Sequence, residues 1–113
     1  MPREDRIRVL HMIEAIEAIA SFLAGRDRQD LDRDQMFRFA VVHAIGILGE
    51  AGSKVSPETR ALTPQVPWRI IIAMRNRLIH GYADIDREVV WKTATEDVPS
   101  LLPILRALIP AEE

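Results

Sequence analysis

PWRIIIAMRNRLIHGYADID, residues 67–86, combines a helical apolar pattern with the densest cluster of catalytically capable side chains in the chain. The run from Ile70 to Ile79 contains no glycine or proline, and Gly81 just beyond it is a typical stop signal. Pro67 suits the first helical position, where its missing N–H costs nothing. The stretch therefore predicts a helix, the third main helix of the chain, that ends near Gly81.

One charged residue interrupts the apolar stripe of this helix. At about 100° per residue, Arg75 falls between Ile71 and Ile79 on the apolar arc. Such a break in patterning tends to mark function or strain. The residues leave one alternative open, in which Arg75 only extends its guanidinium to solvent over a buried stem.

More polar side chains follow Arg75 at helical spacing. Asn76 and His80 are four residues apart and are predicted to share a neighbouring edge of the helix, with Arg77 beyond them. Tyr82 projects from the same stripe as Arg75 if the helix extends that far. His80 alone would also serve as a cap at the negative end of the helix dipole. The cluster as a whole predicts a functional site at the C-terminal end of the helix.

Helices are predicted on both sides of this stretch, and no strand-like alternation or internal repeat is present. A charged connector, residues 26–34, is predicted to be a solvated turn in which Asp30 or Asp32 caps the next helix. Pro99 predicts a break around residues 96–98, with Asp97 capping the last helical segment. The predicted helices span about 5–23 and 33–52, a short helix from Ser56-Pro57, and a fourth from about 87, capped by Asp84 or Asp86, to 109. This is an all-α chain, an up-and-down bundle of four main helices plus a short connecting helix.

The second main helix is apolar over much of its circumference, which is typical of a helix buried on two sides. Its alanines and glycines, Gly46 and Gly49 among them, are small enough to let another helix approach closely. His43 lies on this helix, either as a satisfied core histidine or as a contributor to the site. The residues assign no physical role to Glu50.

Length and composition bound the class of protein. At 113 residues, with 48% apolar and 28% charged residues, the chain is expected to form one domain, residues 1–113, with its own core. It has no Cys, no 18-residue apolar run and no signal-peptide core, so we expect a cytoplasmic protein that does not enter a membrane. A net charge of −2 argues against general attraction to nucleic acid, so RNA binding would need a local basic cluster or two copies of the chain.

The cluster has the chemistry for cleaving RNA without a metal or cofactor. His80 is the candidate general acid or base, because the unperturbed pKa of histidine, about 6.5, lies near neutrality. Arg75 offers a permanent charge and a fork of donors matched to phosphate oxygens. Asn76 is suited to hold a ribose or phosphate oxygen, and Arg77 either widens the basic rim or is a solvated surface charge. One histidine does not easily serve as both acid and base, so a homodimer with a cleft between two copies is the preferred architecture.

The string from Arg75 to Tyr82 reads as Arg, four residues, His, one residue, Tyr. Together with Gly49-Glu50-Ala51, Pro67-Trp68-Arg69 and Val90-Trp91-Lys92, it resembles the HepT-like branch of the HEPN superfamily over about residues 5–108. These proteins are ribonuclease toxins paired with minimal nucleotidyltransferase antitoxins. The resemblance implies homodimers with Arg75 and His80 at the catalytic cleft.

The same resemblance gives Tyr82 a role of its own. It implies that the partner nucleotidyltransferase transfers AMP to Tyr82, which adds bulk and negative charge beside Arg75 and silences the toxin. The alternative is a non-catalytic HEPN subunit that binds a nucleotide or the nucleotidyltransferase itself. Replacing His80 by Ala distinguishes the two hypotheses, because it should abolish cleavage only in an enzyme.

Overall fold

The computed structural model of the protein describes residues 1–81 and 84–110, with residues 80 and 81 described by their backbone alone. Three long helices and one interrupted helix make up most of it, which confirms the all-α bundle. The helices are α1 (Arg3–Leu23), α2 (Asp30–Arg33), α3 (Gln35–Ser53), α4 (Pro57–Leu62), α5 (Trp68–Leu78), α6 (Arg87–Lys92) and α7 (Val98–Arg106), with a π-helical segment (Thr93–Asp97) between the last two.

Helix α3 lies between α1 and α5, and glycines set its distance from α5. A Cβ atom at Gly49 would lie 3.1 Å from the carbonyl oxygen of Ile71, and one at Gly52 would lie 3.4 Å from the side chains of Ile71 and Met12. The backbones therefore approach as closely as the small residues of the second main helix predicted. Because Ile71 lies at Gly49 and Arg75 at Gly46, α5 runs antiparallel to α3.

The hydrophobic core is built from the inward stripes of these helices. Each apolar side chain buried here contributes on the order of 1.5–3 kcal/mol relative to exposure. Trp68 is among the buried side chains, and its indole N–H donates to the Thr63 carbonyl and hydroxyl, which joins the end of α4 to the start of α5. The largest fully buried side chains are Met12, Ile16, Ile19, Leu31, Ile45, Leu48, Ile71, Leu78 and Leu105.

Side-chain caps begin three of the described helices, and two of these caps were predicted. Ser56 accepts from the Thr59 N–H ahead of α4, and Asp86 accepts from the Val89 N–H ahead of α6. For α3 the prediction of Asp30 or Asp32 is wrong, because Asp34 accepts from the Phe37 N–H. The cause is that the connector itself forms the short helix α2, which buries Leu31 and shifts the next helix start to Asp34.

The predicted third helix ends earlier than expected. Helix α5 stops at Leu78, and strand β1 (Ile79–Gly81) pairs antiparallel with β2 (Asp84–Ile85). The Leu78 carbonyl, which a longer helix would use internally, accepts instead from the Asp86 N–H at 2.7 Å. Ile79 and Ile85 are half-buried and both pack against the core, and such half-buried positions of a hairpin suit β-branched side chains.

The fourth main helix is interrupted as predicted, but a π-helical segment interrupts it in place of a new helix cap. Asp97 has helical backbone angles and makes no capping hydrogen bond, so the expected recapping is wrong. Because Pro99 has no N–H and its ring crowds the preceding turn, the chain widens into the π-helical segment before it. Proline then falls in the first turn of α7, where the missing donor is tolerated.

The charged connector is tied to the fourth main helix by ion pairs. Arg28 binds Glu88 and also Asp32, and Arg87 donates to Asp32 at 2.9 Å. The hydrogen bond from Arg87 and the charge of Arg28 lower the pKa of Asp32. The connector is thus docked on α6 and is not only a solvated turn.

Candidate active site

A long open groove of about 1050 Å³ follows the outer face of α3 between α1 and α5. Arg75 and the hairpin residues Ile79 and Ile85 line it on the α5 side. His11 on α1 and His43 on α3 line it as well. The groove therefore brings a permanent cation and two imidazoles to one surface.

Arg75 owes its position to Gly46. A Cβ atom at Gly46 would lie 3.2 Å from Cδ of Arg75, so the arginine stem lies directly over the glycine. The residue is exposed and, within the described part of the chain, makes no hydrogen bond or ion pair. The apolar stem is thus packed while the guanidinium faces the groove, where none of the described residues pairs with it and its donors suit an anion.

The residues that follow Arg75 are directed elsewhere. Asn76 lines a second groove, between α4 and α5, together with Arg60 and Arg69. Arg77 is exposed and lines neither groove. Consecutive helical residues point about 100° apart, so Asn76 does not share the groove of Arg75.

His80 does not lie on the helix. Its backbone belongs to strand β1, so the predicted helical edge shared with Asn76 is wrong. Its side chain lies outside the part of the chain that the structure describes, and so does Tyr82. The backbone of β1 follows the last turn of α5 directly, which keeps position 80 close along the chain to Arg75.

His43 is not a core residue, because it is exposed on the outer face of α3. Exposed residues recur along this face at intervals of three and four, which is a signal the sequence contained but the broad apolar character of the helix obscured. The stripe consists of Met36, Phe39, His43, Ile47 and Glu50. Helix α3 is therefore packed by α1 and α5 on two sides, as predicted, and its outer face is uncovered.

Two acidic residues line the same groove as Arg75. Glu14 on α1 and Glu50 on α3 line the groove, with Glu50 paired to Lys54 at 3.6 Å. Among the side chains that the structure describes, those of residues 1–79 and 84–110, no three His, Asp or Glu converge as a metal ion would require. Over the same ranges no helix is long and apolar enough to cross a bilayer.

Comparison with known proteins identifies the family. The family described as "Ribonuclease HepT-like" matches residues 12–108. The chain is 39% identical to a protein of Thermococcus cleftensis named "Probable ribonuclease HepT", over 89% of this chain and 92% of that protein. It is 32% identical to a protein of Methanocaldococcus jannaschii provisionally named an RNase, over 88% and 91% of the two chains. No solved structure matches the chain significantly. With its helical bundle and a family match over most of its length, the chain belongs to the HepT-like ribonuclease family.

Proposed function

We propose that the protein is the toxin of a toxin–antitoxin pair, a metal-independent endoribonuclease whose Arg75 and His80 act at a cleft between two copies. A cognate nucleotidyltransferase antitoxin silences it by transferring AMP to Tyr82. The observation that carries the proposal is Arg75, whose guanidinium faces the large groove without an ion-pair partner among the described residues.

Each residue has a chemical task in this proposal. Arg75 binds the phosphate that is cut and stabilises the charge that builds up on its oxygens. His80 moves protons to or from the reacting oxygens, which is worth on the order of 10²–10⁴ in rate. The backbone of position 80 lies in β1, two residues after the end of α5 and five after Arg75, and this closeness along the chain supports a shared role for the two residues.

The homodimer is supported by the uncovered face of α3. Phe22, Phe39 and Ile47 are exposed apolar side chains that line the groove, with Phe39 exposed at 53%. A contiguous exposed apolar surface commonly marks a protein–protein interface. A second copy placed on this face would cover these side chains and bring two Arg75 residues to one cleft. Each copy would also contribute its His80, so the cleft would contain two histidines.

Silencing through Tyr82 follows from charge. An adenylyl group carries a phosphate, and attached two residues after His80 it would place negative charge near the groove of Arg75. This negative charge would repel RNA phosphates, and the adenylyl phosphate would occupy Arg75 in their place. Asn76 and Arg77 stay as supporting RNA contacts outside the Arg75 groove.

The experiment that tests the enzyme is a comparison of wild type with His80→Ala. Expression of the wild-type protein without its antitoxin should arrest growth and cleave cellular RNA, and His80→Ala should do neither. Both forms should bind the nucleotidyltransferase equally. If His80→Ala still arrests growth, the catalytic proposal is wrong and the protein acts as a binding subunit.

The experiment that tests the switch is the intact mass of the protein after incubation with the nucleotidyltransferase and ATP. The expected result is a gain of one or more AMP units that is absent in Tyr82→Phe. A modified Tyr82→Phe protein, or an unmodified wild type beside an active partner, would overturn this part of the proposal.

A further inference from the structure

The second groove, between α4 and α5, is a positive surface separate from the groove of Arg75. It has a volume of about 650 Å³, and Arg60, Arg69 and Asn76 line it with no acidic residue among its lining. Trp68 and the small apolar residues Ala61 and Ala73 also line it. We propose that this groove binds a phosphate of the RNA backbone upstream or downstream of the cleaved one, which rests on the ribonuclease function proposed above.

Charge along the chain supports an anionic ligand. Residues 59–83 contain four arginines and none of the 17 acidic residues of the chain. Several arginines elsewhere are neutralised by ion pairs, as Arg26, Arg28, Arg87 and Arg106 show. The net charge of −2 therefore conceals a local basic surface formed by α4 and α5, and α5 is also the helix that carries Arg75.

Arg60 supplies an independent observation. Its Nε atom is buried and has no hydrogen-bond partner among the described residues. A buried donor without an acceptor is unfavourable and uncommon. The terminal nitrogens of the same guanidinium make no hydrogen bond to a described residue, and their fork of donors matches a phosphate bound in the groove.

The spacing suits a strand that passes from one groove to the other. Arg69 and Asn76 are seven residues apart, about 10 Å along the axis of α5, since each residue rises 1.5 Å. Arg75 directly precedes Asn76 on α5 and faces the large groove. A single RNA strand held by Arg75 at the cleaved phosphate would thus reach the α4–α5 groove within a few nucleotides.

The test uses a long and a short RNA with the full-length protein. On the cleavage-deficient His80→Ala form, the double variant Arg60→Gln/Arg69→Gln should weaken binding of a single-stranded 12-mer by roughly ten-fold and reduce the slope of log affinity against log salt by about 1. Binding of a trinucleotide should not change. Arg33→Gln, the loss of an exposed arginine on α2, is the matched control and should leave both affinities unchanged.

The single variant Arg69→Gln controls for misfolding of the double variant, because Arg69 is exposed whereas Arg60 is partly buried. Arg69→Gln should keep the wild-type melting temperature. Its loss in log affinity for the 12-mer should be about half of the loss in the double variant. Unchanged 12-mer affinity and an unchanged salt slope in both variants would overturn the inference. The same holds if the variants weaken binding of the antitoxin but not of the RNA. Cleavage of the trinucleotide by the wild type reports the ribonuclease function separately, so the two proposals fail in different measurements.

Discussion

Among single residues, Gly46 determines the position of Arg75. The arginine stem occupies the space that a side chain at position 46 would fill, so the glycine determines where the guanidinium emerges. Because Arg75 is exposed and unpaired with described residues, its removal should cost little stability and much activity.

Arg75→Ala is therefore expected to lower RNA cleavage by about 10²–10³-fold, the usual cost of removing one group that stabilises transition-state charge. Its free energy of unfolding should stay within about 0.5 kcal/mol of wild type, as for surface substitutions. Arg33→Ala, measured beside it by single-turnover cleavage and urea unfolding, should change neither quantity. Wild-type cleavage in Arg75→Ala would remove this residue from the mechanism.

His43 lines the same groove as Arg75 from the facing helix. We expect His43→Ala to lower cleavage by roughly ten-fold through loss of an RNA contact, which is less than the loss expected of a general acid or base. Its melting temperature should not change because the side chain is exposed. A cleavage rate equal to wild type would show that His43 takes no part.

At the scale of single elements, much of the fold is predictable from the sequence and its departures have local causes. Ser56 and Asp86 are recognisable as caps because a short polar acceptor precedes a helical pattern. The end of α5 is not, because the pairing of Ile79 with Ile85 arises between segments that a single-helix pattern does not connect. The predicted shared edge of Asn76 and His80 fails for the same reason. The exposure of His43 is hidden in the sequence because the stripe around it is as apolar as a core face.

Helix α3 offers two neighbouring glycines with different obstacles. At Gly49 a Cβ atom would meet the backbone oxygen of Ile71, which does not move without separating the helices. Gly49→Ala should therefore destabilise the protein by about 1–3 kcal/mol. Gly46→Ala meets only the flexible stem of Arg75, so its unfolding free energy should be unchanged or raised by up to about 1 kcal/mol through helix propensity.

Urea unfolding of both variants separates these effects, and Gly46→Ala should still lose cleavage activity because Arg75 is displaced. Equal stability of the two alanine variants would contradict the close approach of α5 to Gly49.

Asp5 joins α1 to the start of α4. It is 4% exposed and accepts from the Ser56 N–H at 2.9 Å, the Ser56 hydroxyl at 2.6 Å and the Thr59 hydroxyl. Burial raises the pKa of Asp5, but the hydrogen bonds from Ser56 and Thr59 outweigh it and the pKa lies below its ordinary value. The unfolded chain therefore binds this proton more readily than the folded one. The contribution of Asp5 to stability is complete above about pH 4 and is lost as the pH falls through the lowered pKa.

Asp5→Asn is expected to cost about 1–3 kcal/mol at pH 7, because a charged acceptor of three donors is replaced by a neutral group that brings donors of its own. The difference from wild type should shrink below pH 4. Glu4→Gln, at the exposed neighbouring position, is the control in the same pH series of urea unfolding. A difference that persists unchanged at about pH 2.5, well below the ordinary pKa of aspartate, would contradict the role of the Asp5 carboxylate.

At the scale of the whole molecule, the uncovered face of α3 is the feature that a single chain leaves unexplained. We expect Phe39→Glu to convert a dimer to a monomer and to abolish cleavage while the helical content stays the same, because Phe39 is exposed at 53% within one chain. Leu62→Glu, at a residue exposed at 82% on α4, should remain dimeric and active. Light scattering coupled to size exclusion checks both, and an active Phe39→Glu monomer would refute the composite cleft.

Arg75 and His80 are proposed to act together on one phosphate, and the rates of RNA cleavage by wild type, both single alanine variants and the double variant test this coupling. Residues that act as a unit are not additive, so each single variant should lose about 10²-fold or more and the double variant should be no slower than the slower single variant. Single variants that cleave within about two-fold of wild type, or losses that multiply fully in the double variant, would contradict the account.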